Sequence, residues 1–218
     1  MSRRSAPVRF GSIKPRMPLA LPGQTVGLLG GSFNPAHEAH RLITVTARRR
    51  LGLDQVWWVV TPGNPLKSRD ELAPLADRMA RSRRLVTNPK VKVTGFEADL
   101  PTAYTAATLS FLVKRMPGVH FVWLMGADNL ASFHRWQDWQ QIAALMPIAV
   151  VDRPGFRLKG LAGRAARTLA ANYVPESRAR VLARMQAPVW TFLTGPLSRI
   201  SSTAIRRSNG AVPASSDR

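Results

Sequence analysis

The stretch from residue 25 to residue 40 constrains the fold of this 218-residue chain more than any other. It begins with a short apolar run typical of a strand, continues through Gly30 and Gly31, and resumes as a segment of helical character. A strand, a glycine turn and a helix in this order point unpaired backbone N–H groups at a phosphate, and glycine lets an anion approach the backbone closely. The stretch therefore predicts an α/β fold with an anion site where the first helix begins.

Two histidines stand at the predicted start of that helix. His37 and His40 are three residues apart, so on a helix they share one face and can point at one ligand. The same spacing is also found where two histidines only cap or solvate a helix. Pro35 stands just before or inside the first predicted turn, where a missing backbone N–H does no harm.

Strand-type apolar runs alternate with segments of helical periodicity along most of the chain. Strands are predicted at residues 25–29, 55–60, 91–96, 120–125, 147–151 and 189–193, and helices at residues 39–51, 75–86, 105–116 and 133–144. This alternation predicts a doubly wound, Rossmann-like parallel sheet of about five or six strands, in a single domain with a small C-terminal helical portion. Loops that leave the carboxyl ends of such strands build the ligand site.

The folded domain is predicted to span residues 23–209. Residues 1–22 hold five basic residues and no acidic residue, and they lack apolar periodicity, so we expect a disordered basic arm there. Residues 210–218 are expected to form a flexible tail. The arginines of the predicted helix at 75–86 are expected to face mostly solvent: Arg78, Arg81, Arg83 and Arg84.

The composition excludes several kinds of chemistry. The chain has no cysteine, which excludes disulfides, thiol nucleophiles and zinc–thiolate sites. Its apolar runs are too short to span a membrane, so we expect no membrane partner and a cytoplasmic location. The formal net charge of +20 suits a nucleic-acid binder, an enzyme that handles polyphosphates, or simply an arginine-rich proteome. Because the basic residues are scattered and carry no aromatic-interleaved motif, nucleic acid is not expected as the natural partner. The oligomeric state stays open.

The sequence resembles a known family at two places. The run from Gly30 to His40 is similar to the signature of the nucleotidyltransferases that share an H-x-G-H motif, and the run from Ile200 to Arg206 is similar to their second signature, I-S-S-T-x-I-R. Both runs, in this order and about 160 residues apart, resemble the nicotinate-nucleotide adenylyltransferases. Ala39 stands where the family usually has glycine. The added methyl group is expected to keep the ligand slightly farther from the backbone without preventing the reaction.

This resemblance implies adenylyl transfer from ATP to nicotinate mononucleotide, giving deamido-NAD and pyrophosphate in NAD biosynthesis. It implies direct in-line attack with no covalent enzyme intermediate, and Mg²⁺ as the cofactor that accompanies ATP; we assign no metal-ligating residue. The barrier of such a transfer lies in repulsion between anions and in charge that grows on the α-phosphate and the leaving group. The site must therefore supply positioning and fixed N–H or positive groups.

The resemblance also implies roles for individual residues. The catalytic residues would be His37, His40 and Arg206, with His40 at the α-phosphate. The ATP-binding residues would be Gly31, Ser32, Phe33, His37, His40, Gly126, Asp128, Ile200, Ser201, Ser202, Thr203 and Arg206. The residues that bind the mononucleotide would be Asn34, Lys67, Thr105 and Trp136.

Several of these positions also suit a purely structural role. Asp128 resembles the acid that binds a ribose hydroxyl, and it equally suits a helix N-cap. Trp136 resembles the tryptophan that stacks on the pyridine ring, and a core tryptophan is the alternative, for which Trp139 is the better candidate. The hydroxyl residues of the second motif also suit an N-cap. Lys67 ends the run Asn-Pro-Leu-Lys, where many relatives have Pro-Pro-His.

Two other functions compete with this one. Phosphopantetheine adenylyltransferases share both motifs, but the aromatic block Phe133-x-x-Trp136-x-x-Trp139 and the long loop before Lys67 favour nicotinate nucleotide. A basic nucleic-acid-binding module that keeps a nucleotide fold is the alternative of another class. The sequence leaves open the choice between nicotinate and nicotinamide mononucleotide. The two differ only in a carboxylate or an amide group, which is bound mainly by backbone N–H groups.

Overall fold

A computed structural model describes residues 17–63, 72–100 and 104–196, together with Ser198, Ile200, Ser202 and Ile205. The strands are β1 (Thr25–Gly31), β2 (Gln55–Val60), β3 (Val91–Thr94), β4 (His120–Gly126), β5 (Ile148–Val151) and β6 (Trp190–Leu193). The α-helices are α1 (Glu38–Leu51), α2 (Leu75–Leu85), α3 (Thr105–Arg115), α4 (Ala127–Ser132), α5 (Trp139–Leu145), α6 (Arg157–Leu161) and α7 (Arg164–Thr168). The 3₁₀ segments are Phe96–Asp99, Phe133–Arg135, Ala170–Asn172 and Glu176–Arg184.

Six parallel strands form one sheet among the described residues, in the order β3-β2-β1-β4-β5-β6. The predicted doubly wound parallel sheet of five or six strands is therefore confirmed. The strand order reverses between β1 and β4, which pair from Thr25 with His120 to Leu29 with Leu124. In open α/β sheets a ligand binds at such a reversal, outside the carboxyl ends of the strands.

Helices bury both faces of the sheet, as expected for parallel strands. Adjacent residues of a strand point to opposite faces, so Leu28 and Trp57 pack on the face covered by α3 and α5. Leu29 and Trp58 pack on the face covered by α1 and the 3₁₀ segment Glu176–Arg184. None of the helices in the described residues has the length and apolar character needed to cross a membrane.

Most element boundaries follow the sequence prediction, and the largest differences are at the third strand and at the helix predicted for 133–144. The predicted third strand ends at Thr94, because the chain then enters the 3₁₀ segment Phe96–Asp99. The predicted helix at 133–144 is a 3₁₀ turn followed by α5, and the two are separated by Asp138, whose φ of 53° is incompatible with a right-handed helix. α4 was not predicted.

The helical portion precedes the last strand. Its short segments lie between β5 and β6, within residues 157–184, where the sequence pattern is uninformative. The predicted disordered arm also needs correction at its end, because Ala20 is buried in the core and Met17 packs against it. These contacts need apolar surface that exists only after the sheet has formed. Residues 1–16 and 210–218, to which the rest of the arm and the tail were assigned, lie outside the described residues.

Gly30 and Gly31 belong to β1, and the turn comes later. The chain leaves the extended region at Phe33, a buried residue with φ of 46°. A Cβ on Gly30 would overlap the ring of Trp123, whereas a Cβ on Gly31 would meet Phe33 at 3.4 Å, an ordinary contact. Gly30 is therefore required by the close packing of Trp123 on β1.

We predict that Gly30→Ala lowers the free energy of unfolding by about 1–3 kcal/mol, the usual effect of overpacking a core. Gly31→Ala is the matched control and should change it by less than about 0.5 kcal/mol, because its Cβ has room. Urea unfolding of the two variants measures the difference. Equal destabilisation of both would show that the Trp123 contact is not what requires glycine at position 30.

Candidate active site

The two sequence motifs meet at the carboxyl edge of the sheet. The Ser202 hydroxyl donates to the Pro35 carbonyl at 2.9 Å, which joins the second motif to the turn that precedes α1. The Ile200 carbonyl accepts from Nη2 of Arg153 at 3.0 Å, which joins the same motif to the end of β5. Residues 167 positions apart in the sequence thus meet beside the strand reversal, where a crevice forms in open α/β sheets.

The predicted histidine pair lies at the start of α1. His37 is the N-cap, and its ring centroid lies 4.0 Å from that of His40. Phe33 approaches the His40 ring to 4.6 Å and Trp58 approaches it to 5.9 Å. The backbone N–H of His37 donates to Nδ1 of His40 at 3.2 Å. Neutral His40 therefore carries its proton on Nε2, which makes that nitrogen a hydrogen-bond donor.

Both imidazoles are neutral at pH 7. Burial lowers the pKa of His40 to about 3, with a further contribution from His37. Burial also lowers the pKa of His37 to about 4, and the positive charge of Arg153 acts in the same direction. Because both pKa values lie below the ordinary 6.5, the neutral imidazoles contribute stability above pH 6.5, and that contribution is lost as the pH falls through about 4 for His37 and about 3 for His40.

Asp128 and Arg153 form an ion pair on the other side of the strand reversal. Asp128 Oδ2 accepts from Arg153 Nη1 at 2.9 Å, while its Oδ1 is buried and has no hydrogen-bond partner among the described residues. Gly126 is the N-cap of α4, so the alternative in which Asp128 caps this helix is excluded. A Cβ on Gly126 would overlap the Asp128 carboxylate. The free oxygen can accept a hydrogen bond from a ligand hydroxyl.

The aromatic residues after β4 do not separate as the sequence predicts. Trp136 and Trp139 are both partly buried, and both lie edge-on against Phe133, at 5.5 and 5.7 Å between ring centroids. Trp136 also contacts Trp123 edge-on at 6.4 Å. Burial therefore does not mark Trp139 as the core residue of the two.

The other predicted residues fall into four groups. Thr105 is the first residue of α3, and in its first turn the N–H groups of Ala107 and Thr108 donate to the Tyr104 carbonyl at 3.0 and 3.1 Å. Asn34 is buried, and its Oδ1 accepts from the Ala73 N–H at 3.4 Å. Gly31 and Ser32 lie at the end of β1 with at least part of their surface exposed. The residues outside the described part of the chain are Lys67, Ser201, Thr203 and Arg206.

The sequence analysis missed two arginines at this edge. Arg153 comes two residues after the end of β5, and its place as a polar residue just beyond a predicted strand is the signal that could have found it. Arg78 is a correction, because it was expected to face solvent and its exposed fraction is only 1%. The helical pattern does carry a signal, because positions 75, 78, 79 and 82 share one face of α2 with Leu75 and Met79 on it, whereas Arg81 lies on the exposed side. Among the described residues, no group of three histidine, cysteine, aspartate or glutamate side chains is placed to hold a metal ion.

Paired imidazoles, an arginine–aspartate pair and a hydroxyl-bearing motif around one crevice define a nucleotidyltransferase-type site. The cytidylyltransferase-like family model matches residues 28–208, and this range includes all of these groups. A probable nicotinate-nucleotide adenylyltransferase of Rhizobium johnstonii is 56% identical over 190 residues, covering 87% of this chain and 96% of that protein. The chain belongs to the nicotinate-nucleotide adenylyltransferase family.

Further comparisons agree with this assignment. A probable nicotinate-nucleotide adenylyltransferase of Mesorhizobium japonicum is 56% identical over 191 residues, covering 88% of this chain and 98% of that protein. The structure of Plasmodium falciparum nicotinic acid mononucleotide adenylyltransferase complexed with NaAD has a TM-score of 0.62 at 17% identity, covering 84% of this chain and 83% of that chain. That likeness supports the fold.

The protonation state of the pair leads to a prediction for NMR. The chain has four histidines, so their imidazole signals can be followed individually between pH 7.5 and pH 5. The signals of His37 and His40 should stay in the neutral form over this range, and long-range ¹⁵N correlations should place the His40 proton on Nε2. Asparagine replacements of each residue in turn assign the signals. A His40 signal that titrates near pH 6.5 would contradict the buried, neutral state.

Proposed function

We propose that this protein transfers the adenylyl group of ATP to nicotinate mononucleotide and releases pyrophosphate. The single observation that carries the proposal is the meeting of the first motif, the second motif and the Asp128–Arg153 pair around the crevice at the strand reversal. A phosphate oxygen of the mononucleotide forms a bond to the α-phosphorus of ATP, and the bond from that phosphorus to the bridging oxygen of the pyrophosphate breaks.

His40 is proposed as the donor to the α-phosphate. Its Nδ1 already accepts the His37 backbone N–H, so Nε2–H is the donor left for a ligand. A neutral imidazole donates to a developing negative charge without giving up its proton, and the low pKa of His40 keeps it in that form. The contacts with His37 and Phe33 hold the ring in place, so little reorganisation is needed during the reaction.

The opposite side of the crevice is proposed to bind the rest of the nucleotide. Asp128 Oδ1 suits a ribose hydroxyl, since it is a buried acceptor that lacks a partner among the described residues. Arg153 keeps the carboxylate oriented and brings a positive charge toward the histidine pair. The second motif approaches through Ser202 and Ile200 and would meet the leaving phosphates. On the acceptor side, Trp136 is proposed to stack on the pyridine ring and the first turn of α3 to bind its carboxylate.

Mg²⁺ is proposed to enter with ATP, held mainly by the phosphate oxygens, as is usual for this ion. When bound, it neutralises part of the charge on the departing pyrophosphate. The only described carboxylate assigned to the crevice, Asp128, is already paired with Arg153. A direct transfer needs no protein nucleophile, since the attacking phosphate is itself a nucleophile.

We predict that the purified protein, given Mg-ATP and nicotinate mononucleotide, releases pyrophosphate and forms deamido-NAD. A coupled pyrophosphate assay with mass-spectrometric identification of the dinucleotide measures this. Nicotinamide mononucleotide and phosphopantetheine serve as competing acceptors at equal concentration. Turnover of phosphopantetheine without turnover of nicotinate mononucleotide would overturn the acceptor assignment while leaving adenylyl transfer in place.

Substitution of His40 and Trp136 should separate the two halves of the site. His40→Ala should lower kcat by about 10²-fold, the usual effect of losing one donor to the transition state, and should leave both KM values nearly unchanged. Trp136→Ala should mainly raise KM for the mononucleotide, because stacking holds the ground state and the transition state alike.

The matched control for His40 is His120→Ala. His120 opens β4 at the amino edge of the sheet, away from the crevice, so its replacement should leave kcat within about twofold of the unmodified protein. A His40→Ala protein that unfolds, or that changes only in KM, would show that this histidine is structural or a simple binding contact.

A further inference from the structure

The hydrogen-bond ladder between β1 and β2 ends just before the turn that carries the histidine pair. The two strands pair up to Gly31 and Val60, and the last ladder bond runs from the Thr61 N–H to the Gly31 carbonyl at 3.0 Å. Beyond it the backbone leaves each strand and enters a different loop. The next carbonyl groups, those of Ser32 and Thr61, have no strand partner and must find other donors.

One buried guanidinium supplies those donors. Arg78 Nη1 donates to the Ser32 carbonyl at 2.7 Å and to the Thr61 carbonyl at 2.8 Å, so a single nitrogen bridges the two backbone segments that follow β1 and β2. Nε donates to the Ala73 carbonyl at 2.7 Å, and Nη2 lies 3.4 Å from the Pro62 carbonyl. Arg78 thus connects three backbone segments at the point where the sheet stops connecting them.

The charge of Arg78 has no carboxylate partner in the described residues. Its exposed fraction is 1%, and the ion pairs of the described residues involve other arginines. Burial of a cation is unfavourable unless its N–H groups are hydrogen-bonded, and here carbonyl oxygens take that role. A planar fork of fixed N–H groups suits several carbonyls at once, which a lysine ammonium on a flexible stem does not.

The bridged loop is the one that holds the catalytic candidates. Ser32 lies five residues before His37, and the same loop is also tied to the segment before α2 through the bond from the Ala73 N–H to Asn34. Arg78 therefore fixes one side of the turn, while Ser202 bonds to Pro35 on the other side.

We propose that Arg78 is a positioning residue for the His37–His40 loop, acting through the carbonyls of the segments that it joins. It touches neither histidine, and its effect on the reaction passes through the backbone. Loss of these bonds lets the loop shift relative to the crevice, and a displacement of about 1 Å at a reacting centre lowers a rate by about 10²-fold. The effect on the rate rests on the proposed function, whereas the effect on the histidine ring does not.

The test compares Arg78→Met, Arg78→Lys and the control Arg81→Met, which removes an exposed arginine from the same helix. We expect kcat per folded molecule to fall by about 10²-fold in Arg78→Met and by about tenfold in Arg78→Lys, and to stay within about twofold in the control. Binding of each substrate alone, measured by calorimetry, should change by less than about threefold, because alignment and not affinity is lost.

A second readout needs no substrate. If the loop shifts, the bond from the His37 N–H to His40 Nδ1 weakens and the ring becomes hydrated, so the NMR titration of His40 should move toward pH 6.5 in Arg78→Met and not in Arg81→Met. A lower melting temperature with unchanged kcat and an unchanged titration would show that Arg78 is merely structural and overturn the proposal. If Arg78→Met does not fold, wild-type kcat and titration in Arg78→Lys overturn it. If the unmodified protein does not adenylylate nicotinate mononucleotide, the proposed function fails, and the titration still decides the role of Arg78.

Discussion

The strands of a parallel sheet are joined by crossover helices, and these helices cover both faces of the sheet. The two cores and the position of the ligand site both depend on this arrangement. Apolar residues such as Leu28 and Leu29 enter separate cores on opposite faces. Only the edges of the sheet remain open to a ligand. At the carboxyl edge the reversal between β1 and β4 separates the adjoining loops, and the site forms in the space between them.

Desolvation sets the chemistry of that space. The protein carries a formal net charge of +20, yet its two central histidines are uncharged, because burial and the nearby Arg153 both disfavour a proton on them. Arg153 is itself paired with Asp128. The first motif thus supplies neutral hydrogen-bond donors with a fixed direction, and Arg153 supplies the positive charge from the other side of the crevice. This division suits a reaction in which anions must first approach and negative charge must then be stabilised at defined atoms.

Buried polar residues take over where the regular backbone pairing ends. Arg78 joins the carbonyls beyond the last ladder bond of β1 and β2. On the other side of the sheet, buried Glu97 accepts from the Thr108 hydroxyl at 2.6 Å and so ties the 3₁₀ segment after β3 to α3. Burial raises the pKa of Glu97. Each contact orders a loop at the carboxyl edge, and a buried hydrogen bond specifies one geometry where apolar packing would allow several.

The sequence by itself determined the α/β class, the strand at 55–60 and the histidine pair, because local periodicity and i, i+3 spacing are written in neighbouring residues. Asp128 was singled out by the resemblance to the family, in which an acid after a glycine at a strand end binds a ribose hydroxyl. The break at Asp138 and the partners of the buried Arg78 had no such signal. Helical periodicity places Arg78 on the inward face of α2, but only the arrival of carbonyls from two distant loops makes it a buried donor. The tertiary structure decided these points because the free energy of a buried polar group depends on its partners in space, and those partners are brought together only when the sheet has formed.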